Sequence, residues 1–399
     1  MRGLFWGHRW KARRWLPTLL LGLWALGAGA GDGWAAAANG AQPPAAVWES
    51  SPYDDLELRG LVTAAETSLR IMAGRDDDHR YQFCGQSYAL AELRQGLAAF
   101  TTAARAAADP AELAAYVEQN FIFCPQNGPG GKNKRAFLTG YFEPEVAGRL
   151  EPDEQYRYPL YAPPADLVTT KDQAGRLVDG RLEPYWSRQQ IEEKDLLAGN
   201  ELLYLADPLE AFVLHVQGSG RVRLADGRVR PVLYAAKNGR QYRSIGRLLV
   251  REDKLRREEA DLPGILNYLR EHPDERRRVL HHNPSYIFFR LGEPGTPGPL
   301  GAFGRPLTAG RSLALDQRHY PPGALGWLAA RKPEFDDHGE VSGWQPLERF
   351  TFNHDSGSAI RGTGRIDLFW GHGDYAARAA GVSRHRADFY LLLPTPEKK

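Results

Sequence analysis

The amino-acid sequence predicts a mainly β protein with a helical N-terminal lobe, and three observations carry that expectation. Apolar residues recur at three- and four-residue spacing between Asp54 and Asn120. After Gly128-Pro129-Gly130-Gly131 they fall instead into short pieces of strand length. Those pieces are separated by many of the 42 glycines and 28 prolines of the 399-residue chain, spread without period as turn residues are. With 42% hydrophobic and 25% charged residues, the chain is long enough for one large or two moderate cores, and two domains are expected.

Residues 1–38 read as a signal peptide. Arg2, Arg9, Lys11, Arg13 and Arg14 precede an apolar run from Leu16 to Ala30, and the small residues Ala35 to Ala38 follow. The run falls short of the roughly 18 to 20 apolar residues of a spanning helix, and Gly22, Gly27 and Gly29 weaken it further. Arg13-Arg14 also suits a twin-arginine signal, a pattern too short to choose the route. No cysteine lies near the cleavage region to carry a lipid, so the expectation is an exported protein of the periplasm or cell envelope without a stable membrane anchor. Removing five basic residues and Asp32 turns the formal charge of +2 into about −2. That balance argues against nucleic acid, whose binding needs a clustered basic surface, and favours a neutral polymer.

The first helical stripe is Leu58, Leu61, Val62, Ala65 and Leu69, placed on a helix from Asp54 to Met72. The second is Leu90, Leu93, Leu97 and Phe100. A third helix begins at Asp109-Pro110, with Glu112 in its first turn. Cys84 and Cys124, the only cysteines, flank this pair of helices, and an oxidising compartment favours a disulfide between them. Two cysteines without nearby paired histidines make no zinc set, so no metal is expected, and no phosphate-cradling loop calls for a nucleotide or other cofactor.

Beyond the glycine run, Ala136 to Phe142, Ala211 to Val216, Arg230 to Tyr234 and Phe389 to Leu393 read as strands. Helical patterns return at Ile245 to Val250 and at Ile265 to Leu280, the latter broken by Pro273. There is no internal repeat. Ser219 lies in Gly218-Ser219-Gly220, but the Gly-x-Ser-x-Gly frame of a nucleophile elbow is absent, and a turn bringing backbone close to a ligand is the better reading. The remaining candidates for chemistry are three aspartates in turn-rich surroundings: Asp316 after Leu313-Ala314-Leu315, Asp355 in Asn353-His354-Asp355-Ser356-Gly357, and Asp367 in Gly364-Arg365-Ile366-Asp367-Leu368-Phe369-Trp370-Gly371. Taken singly, each also suits a turn or cap role.

These strings, with Phe137-Leu138-Thr139-Gly140-Tyr141-Phe142-Glu143-Pro144, Val216 to Gly220, Lys237-Asn238-Gly239, Tyr242 to Gly246 and Asn283 to Tyr286, resemble in content and order the MltA family of lytic murein transglycosylases. The resemblance runs from about Ala136 to Pro394. It implies a double-psi β-barrel with a second β-rich domain inserted and a glycan groove between them. The divisions it suggests are 45–144 for the helical lobe and the first part of the barrel domain, 145–290 for the insertion, 291–394 for the three-aspartate barrel, and a tail at 395–399. It implies Asp367 as the single catalytic acid. Thr139, Gln217, Ser219, Lys237, Ser244 and Asp355 would line the groove, with Asp316 in support. The reaction implied is non-hydrolytic cleavage of the β-1,4 bond between N-acetylmuramic acid and N-acetylglucosamine in peptidoglycan. The alternatives are an inverting glycoside hydrolase, with Asp355 or Asp316 as base, and a non-catalytic wall-binding protein.

The acid role requires a raised pKa, for which Ile366, Leu368, Phe369 and Trp370 offer an apolar setting. Arg365, on the same side of an alternating strand, would oppose it unless it turns away or is neutralised by another acid such as Asp355. Tyr141, Tyr234, Tyr242 and Trp370 are candidate faces for sugar rings, although each taken alone is more often a core residue.

Overall fold

The structure is a computed structural model that describes residues 53–126, 135–170, 173–257, 259–293, 298–357 and 360–396. The predicted signal peptide, the glycine run at 128–131 and the last residues of the tail lie outside them.

Three helices, Leu61–Met72, Leu90–Ala106 and Pro110–Asn120, form the N-terminal lobe. Asp109 caps the third by accepting the Glu112 amide at 2.9 Å. The first helix starts later than its periodicity suggested. Glu57, Leu58 and Gly60 have positive φ, and Asp54 and Asp55 are drawn onto the barrel by arginines. Cys84 and Cys124 are joined with their Cα atoms 5.9 Å apart, tying the lobe to the strand Phe121–Pro125.

Six strands close into a barrel in the order Leu325–Phe335, Val341–Asp355, Ser312–Ala314, Arg365–His372, Ala136–Glu143 and Arg384–Pro394, the last pairing back to the first. Two neighbouring pairs are parallel, Ser312–Ala314 with Val341–Asp355 and Arg365–His372 with Ala136–Glu143, as in a double-psi barrel. Alternation decides what each face meets. Leu138, Leu313, Leu328, Ile366, Leu368, Ala387 and Phe389 fill the interior. Trp327, Phe350 and Phe352 point outward and are covered by Leu61, Leu97 and Phe100 of the helical lobe. A helix at Asp374–Val382 also packs on the barrel; its alanine-rich stripe was not recognised in the sequence.

The segment between Glu145 and Leu291 builds a six-stranded sheet with its own apolar core and a helical layer. One expectation fails here: Ala211 to Val216 is helical, within Pro208–Gln217. The signals for it were in the sequence. Asp207 accepts the Leu209 amide, Pro208 occupies the first turn, and Gly218 ends the helix at φ 78°. The apolar run reads like a strand because the helix is buried nearly all round.

Candidate active site

Strand register assembles the site. Asp355 is opposite Ala314, Ala314 opposite Asp367, Asp367 opposite Thr139, and Thr139 opposite Arg384. These residues form one row across five adjacent strands, roughly 4.8 Å apart from strand to strand. Residues directly opposite share a face, and this is the outer face, because Ile366 and Leu368 point into the barrel.

Asp367 lies in the middle of the row with no exposed surface. Its Oδ1 accepts a hydrogen bond from Thr139 Oγ1 at 2.6 Å, and its buried Oδ2 has no partner among the described residues. Burial pushes its pKa up to about 6, against the pull of the Thr139 hydroxyl and the more distant charge of Arg365. Arg365 forms no ion pair with it. The guanidinium stacks on the Phe137 ring at 5.0 Å and donates to the Phe137 carbonyl at 3.3 Å, and Asp355 does not neutralise it.

Asp355 is held from three sides. Tyr141 donates its hydroxyl to Oδ2 at 2.9 Å, while the Ala302 and Ser356 amides donate to Oδ1, each at 2.8 Å. Burial raises it to about 7; these donors work against the rise, and the charge of Asp367 adds to it. The preceding residue, His354, is sandwiched between the hydroxyls of Ser68 and Ser312 at 2.8 Å each, which pins the helical lobe behind the site. Asp316 is elsewhere and differently used. It pairs with Arg318 at 2.5 Å and accepts the Gly362 amide at 2.7 Å. Burial would raise its pKa, but these donors outweigh it and hold the carboxyl well below the usual range. Asp316 thus tethers the far end of the loop that leaves Asp355 and returns to Asp367.

The other candidates lie on the inserted segment. Gln217 ends the helix Pro208–Gln217, and Ser219 follows the Gly218 turn; both are buried. Lys237 is half-buried at the end of the strand Val229–Lys237, its pKa lowered by burial. The Ser244 hydroxyl is engaged in capping the helix Ile245–Arg251, accepting the Arg247 amide at 3.2 Å. Asn238 orders this corner, donating to the Trp186 and Pro284 carbonyls at 2.8 Å each and accepting the Tyr286 amide. Of the aromatic candidates, two are not free faces. Tyr141 is buried and holds Asp355, and Trp370 is buried in the barrel core against Gly140. Tyr234 and Tyr242 are half-buried. The roles of Tyr141 and Asn238 rest on partners far away in sequence, so no local pattern announced them.

A phenol, a threonine hydroxyl and a buried carboxyl with a raised pKa on one face can move a proton but offer no metal set; among the described residues no group of three or more His, Cys, Asp or Glu could hold an ion. Residues 137–290 match the model of the MltA specific insert domain, and residues 311–393 that of the 3D domain. The chain is 32% identical over 262 residues to membrane-bound lytic murein transglycosylase A of Escherichia coli K12, an alignment spanning 65% of this chain and 66% of that protein. It is 31% identical over 280 residues to the Vibrio cholerae protein of the same name, spanning 69% of each. The crystal structure of a membrane-bound lytic murein transglycosylase from Agrobacterium tumefaciens superimposes with a TM-score of 0.68 at 31% identity, covering 85% of this chain and 93% of the other. The two family-model matches, the likeness to these relatives and the shared barrel fold establish that the chain belongs to the membrane-bound lytic murein transglycosylase A (MltA) family.

Proposed function

We propose that this protein is a peptidoglycan lytic transglycosylase in which Asp367 performs both proton transfers. The observation that carries the reading is a carboxyl group buried in the row on the outer face of the barrel, pushed up to about 6, with one oxygen oriented by Thr139 and the other unclaimed. Protonated, Asp367 gives its proton to the glycosidic oxygen as N-acetylglucosamine departs. Ionised, it takes the proton from the C6 hydroxyl of N-acetylmuramic acid, which closes onto its own C1 and leaves a 1,6-anhydro end. The nucleophile belongs to the substrate, so its effective concentration is high and no second carboxylate has to hold a water.

The same logic disfavours an inverting hydrolase. The three donors to Asp355 leave it held in place, and Asp316 is committed to Arg318 and Gly362, so neither is free to activate water. Because Asp367 has no exposed surface, a sugar ring reaches Oδ2 only when the layer over it shifts. Ile360, on the loop tethered by Asp355 and Asp316, is part of the apolar packing on that face, with Tyr141, Leu307 and Phe369. Gln217, Ser219 and Lys237 are assigned to the glycan groove, Ser244 to shaping it, and residues 145–290 to the inserted domain that forms its other wall. The enzyme is exported and works in the cell envelope; no helix of the described residues is long and apolar enough to cross a membrane.

Purified peptidoglycan digested with the protein should yield 1,6-anhydro muropeptides by mass spectrometry. Asp367→Ala should lower their formation by at least about 10³-fold. Reducing ends in place of anhydro rings would sink the reading in favour of a hydrolase.

A further inference from the structure

The row that carries Asp367 ends in positive charge. Arg384 stands opposite Thr139, on the face where Thr139 meets Asp367. Arg365 lies two residues before Asp367 on the same strand, and so on the same face. Both are half-buried. Four arginines of the barrel region have acids to balance them: Arg135 pairs with Asp388, Arg311 with Asp54, Arg318 with Asp316 and Arg349 with Asp55, whereas Arg386 on the barrel strand Arg384–Pro394 donates to the Arg135 carbonyl. Arg384 and Arg365 have no such partner among the described residues; Arg365 rests on Phe137. They lie close enough that Arg384 makes the charge on Arg365 harder to keep, after burial itself. Two acids feel them. One is Asp367, and the other is Asp261, whose carboxylate is occupied capping the helix Leu262–Glu271 through the Gly264 amide at 3.0 Å. That helix belongs to the inserted segment and approaches the helix Asp374–Val382 three residues before Arg384, since a Cβ built on Gly381 would lie 3.3 Å from Pro263. The arginine pair therefore lies beside the contact between the inserted segment and the barrel domain.

We propose that Arg384 and Arg365 form a carboxylate-binding site at the end of the catalytic row, which grips an acid group carried on the O3 lactyl ether of N-acetylmuramic acid. The inference rests on the proposed function, because it needs that sugar at Asp367. The muramic ring must place its C1 against the acid, so its lactyl arm projects within reach of the same face. Arg384 is two strand spacings, about 10 Å, from Asp367 along the row. An arginine side chain and a lactyl arm can span that distance between them. Guanidinium groups taken partly out of water without a counter-charge are costly, and a carboxylate held by charge-assisted hydrogen bonds relieves the cost. The acid has two sources. It is the lactyl carboxylate itself on a strand stripped of peptide, or a carboxylate of the peptide stem where the lactyl group is an amide. N-acetylglucosamine has neither, so the site would set the register in which the strand lies across the acid.

The test is a binding titration on full-length protein carrying Asp367→Asn, which prevents turnover, with and without Arg384→Gln. The probes are stem-bearing glycan strands, amidase-stripped strands, and uncharged chitohexaose. Arg384→Gln should weaken binding of at least one class of strand by about tenfold, the loss of one charge-assisted contact, and leave chitohexaose within about twofold. Loss confined to stripped strands assigns the lactyl carboxylate, and loss confined to stem-bearing strands assigns the stem. Equal loss on chitohexaose, or no loss on either strand, overturns the site. Arg384→Lys, which keeps the charge, should retain most of the preference and guards against a folding defect. Should Arg384→Gln fail to fold, the salt dependence of the Asp367→Asn protein decides: affinity for strands must fall with added salt while that for chitohexaose does not. A failure of the transglycosylase reading appears separately, as absence of anhydro products from the unmodified protein.

Discussion

Two corners of the same barrel bury aspartates in opposite ways. Behind the barrel, Asp54 is clamped by both Nη atoms of Arg311, which also donates to the carbonyls of Arg59 and Phe350. Its neighbour Asp55 takes Arg349 and Lys332; burial alone would raise the Asp55 carboxyl, but the two cations outweigh it and hold it below the ordinary value. In the row across the outer face of the barrel the carboxyl of Asp367 is as deeply buried but receives only the hydroxyl of Thr139, and its pKa rises. The lesson is that burial does not by itself distinguish a staple from a catalyst. The charge of the partner does: an arginine fixes the ionised form, whereas a neutral hydroxyl leaves the proton free to be exchanged near neutral pH.

The largest effect should come from breaking the paired corner. Arg311→Ala leaves Asp54 buried without its counter-charge and should cost about 3 to 5 kcal/mol in denaturant unfolding. A loss below about 1 kcal/mol would mean that the pairing is incidental. The unpaired corner should respond in the other direction. Because the folded pKa of Asp367 is raised from 3.8 to about 6, the native state holds its proton more tightly than the unfolded chain does. Wild-type stability should therefore fall as pH rises from about 4 through about 6, whereas Asp367→Asn escapes that fall. The variant should be more stable than wild type at pH 8 by up to about 3 kcal/mol, a gap that closes towards pH 4. Equal stabilities at both pH values would place the Asp367 pKa near its unfolded value and remove the acid. The smallest effect tests the hydroxyl. Thr139 donates to the ionised carboxyl, so Thr139→Val should raise the pKa and shift the alkaline limb of the pH–rate profile, expected near 6, upward by about one unit. A downward shift would show that the hydroxyl favours the protonated form.

Much of this architecture was legible beforehand. The helical lobe announced itself through Leu90, Leu93, Leu97 and Phe100, which share one face at helical spacing and meet the barrel or its neighbouring helices. The switch to strands was equally visible, and so was Pro273, which separates the helices Leu262–Glu271 and Pro273–His281. Where reading failed, a local signal had been outweighed by a stronger impression. Ala211 to Val216 looked like a strand because only His215 interrupts an apolar run that is buried nearly all round, although the capping residues at both ends specified a helix. Tyr141 and Trp370 were open to two readings, sugar platform or core, and their burial decides for the core.

By itself, the sequence determined which short segments are candidates for chemistry and which side chains of each share a face. Alternation along Arg365–His372 puts Asp367 and Arg365 on one side and Ile366, Leu368 and Trp370 on the other, whatever the neighbours are. Only the tertiary structure decided who those neighbours are. Thr139 reaches Asp367 across 228 residues of chain and Tyr141 reaches Asp355 across 214, because strands from distant segments pair in one register. The register is set by the whole barrel closing on its core, a global condition that no local period encodes. The charge that surrounds a carboxyl, and with it the difference between an acid catalyst and a structural staple, follows from that register.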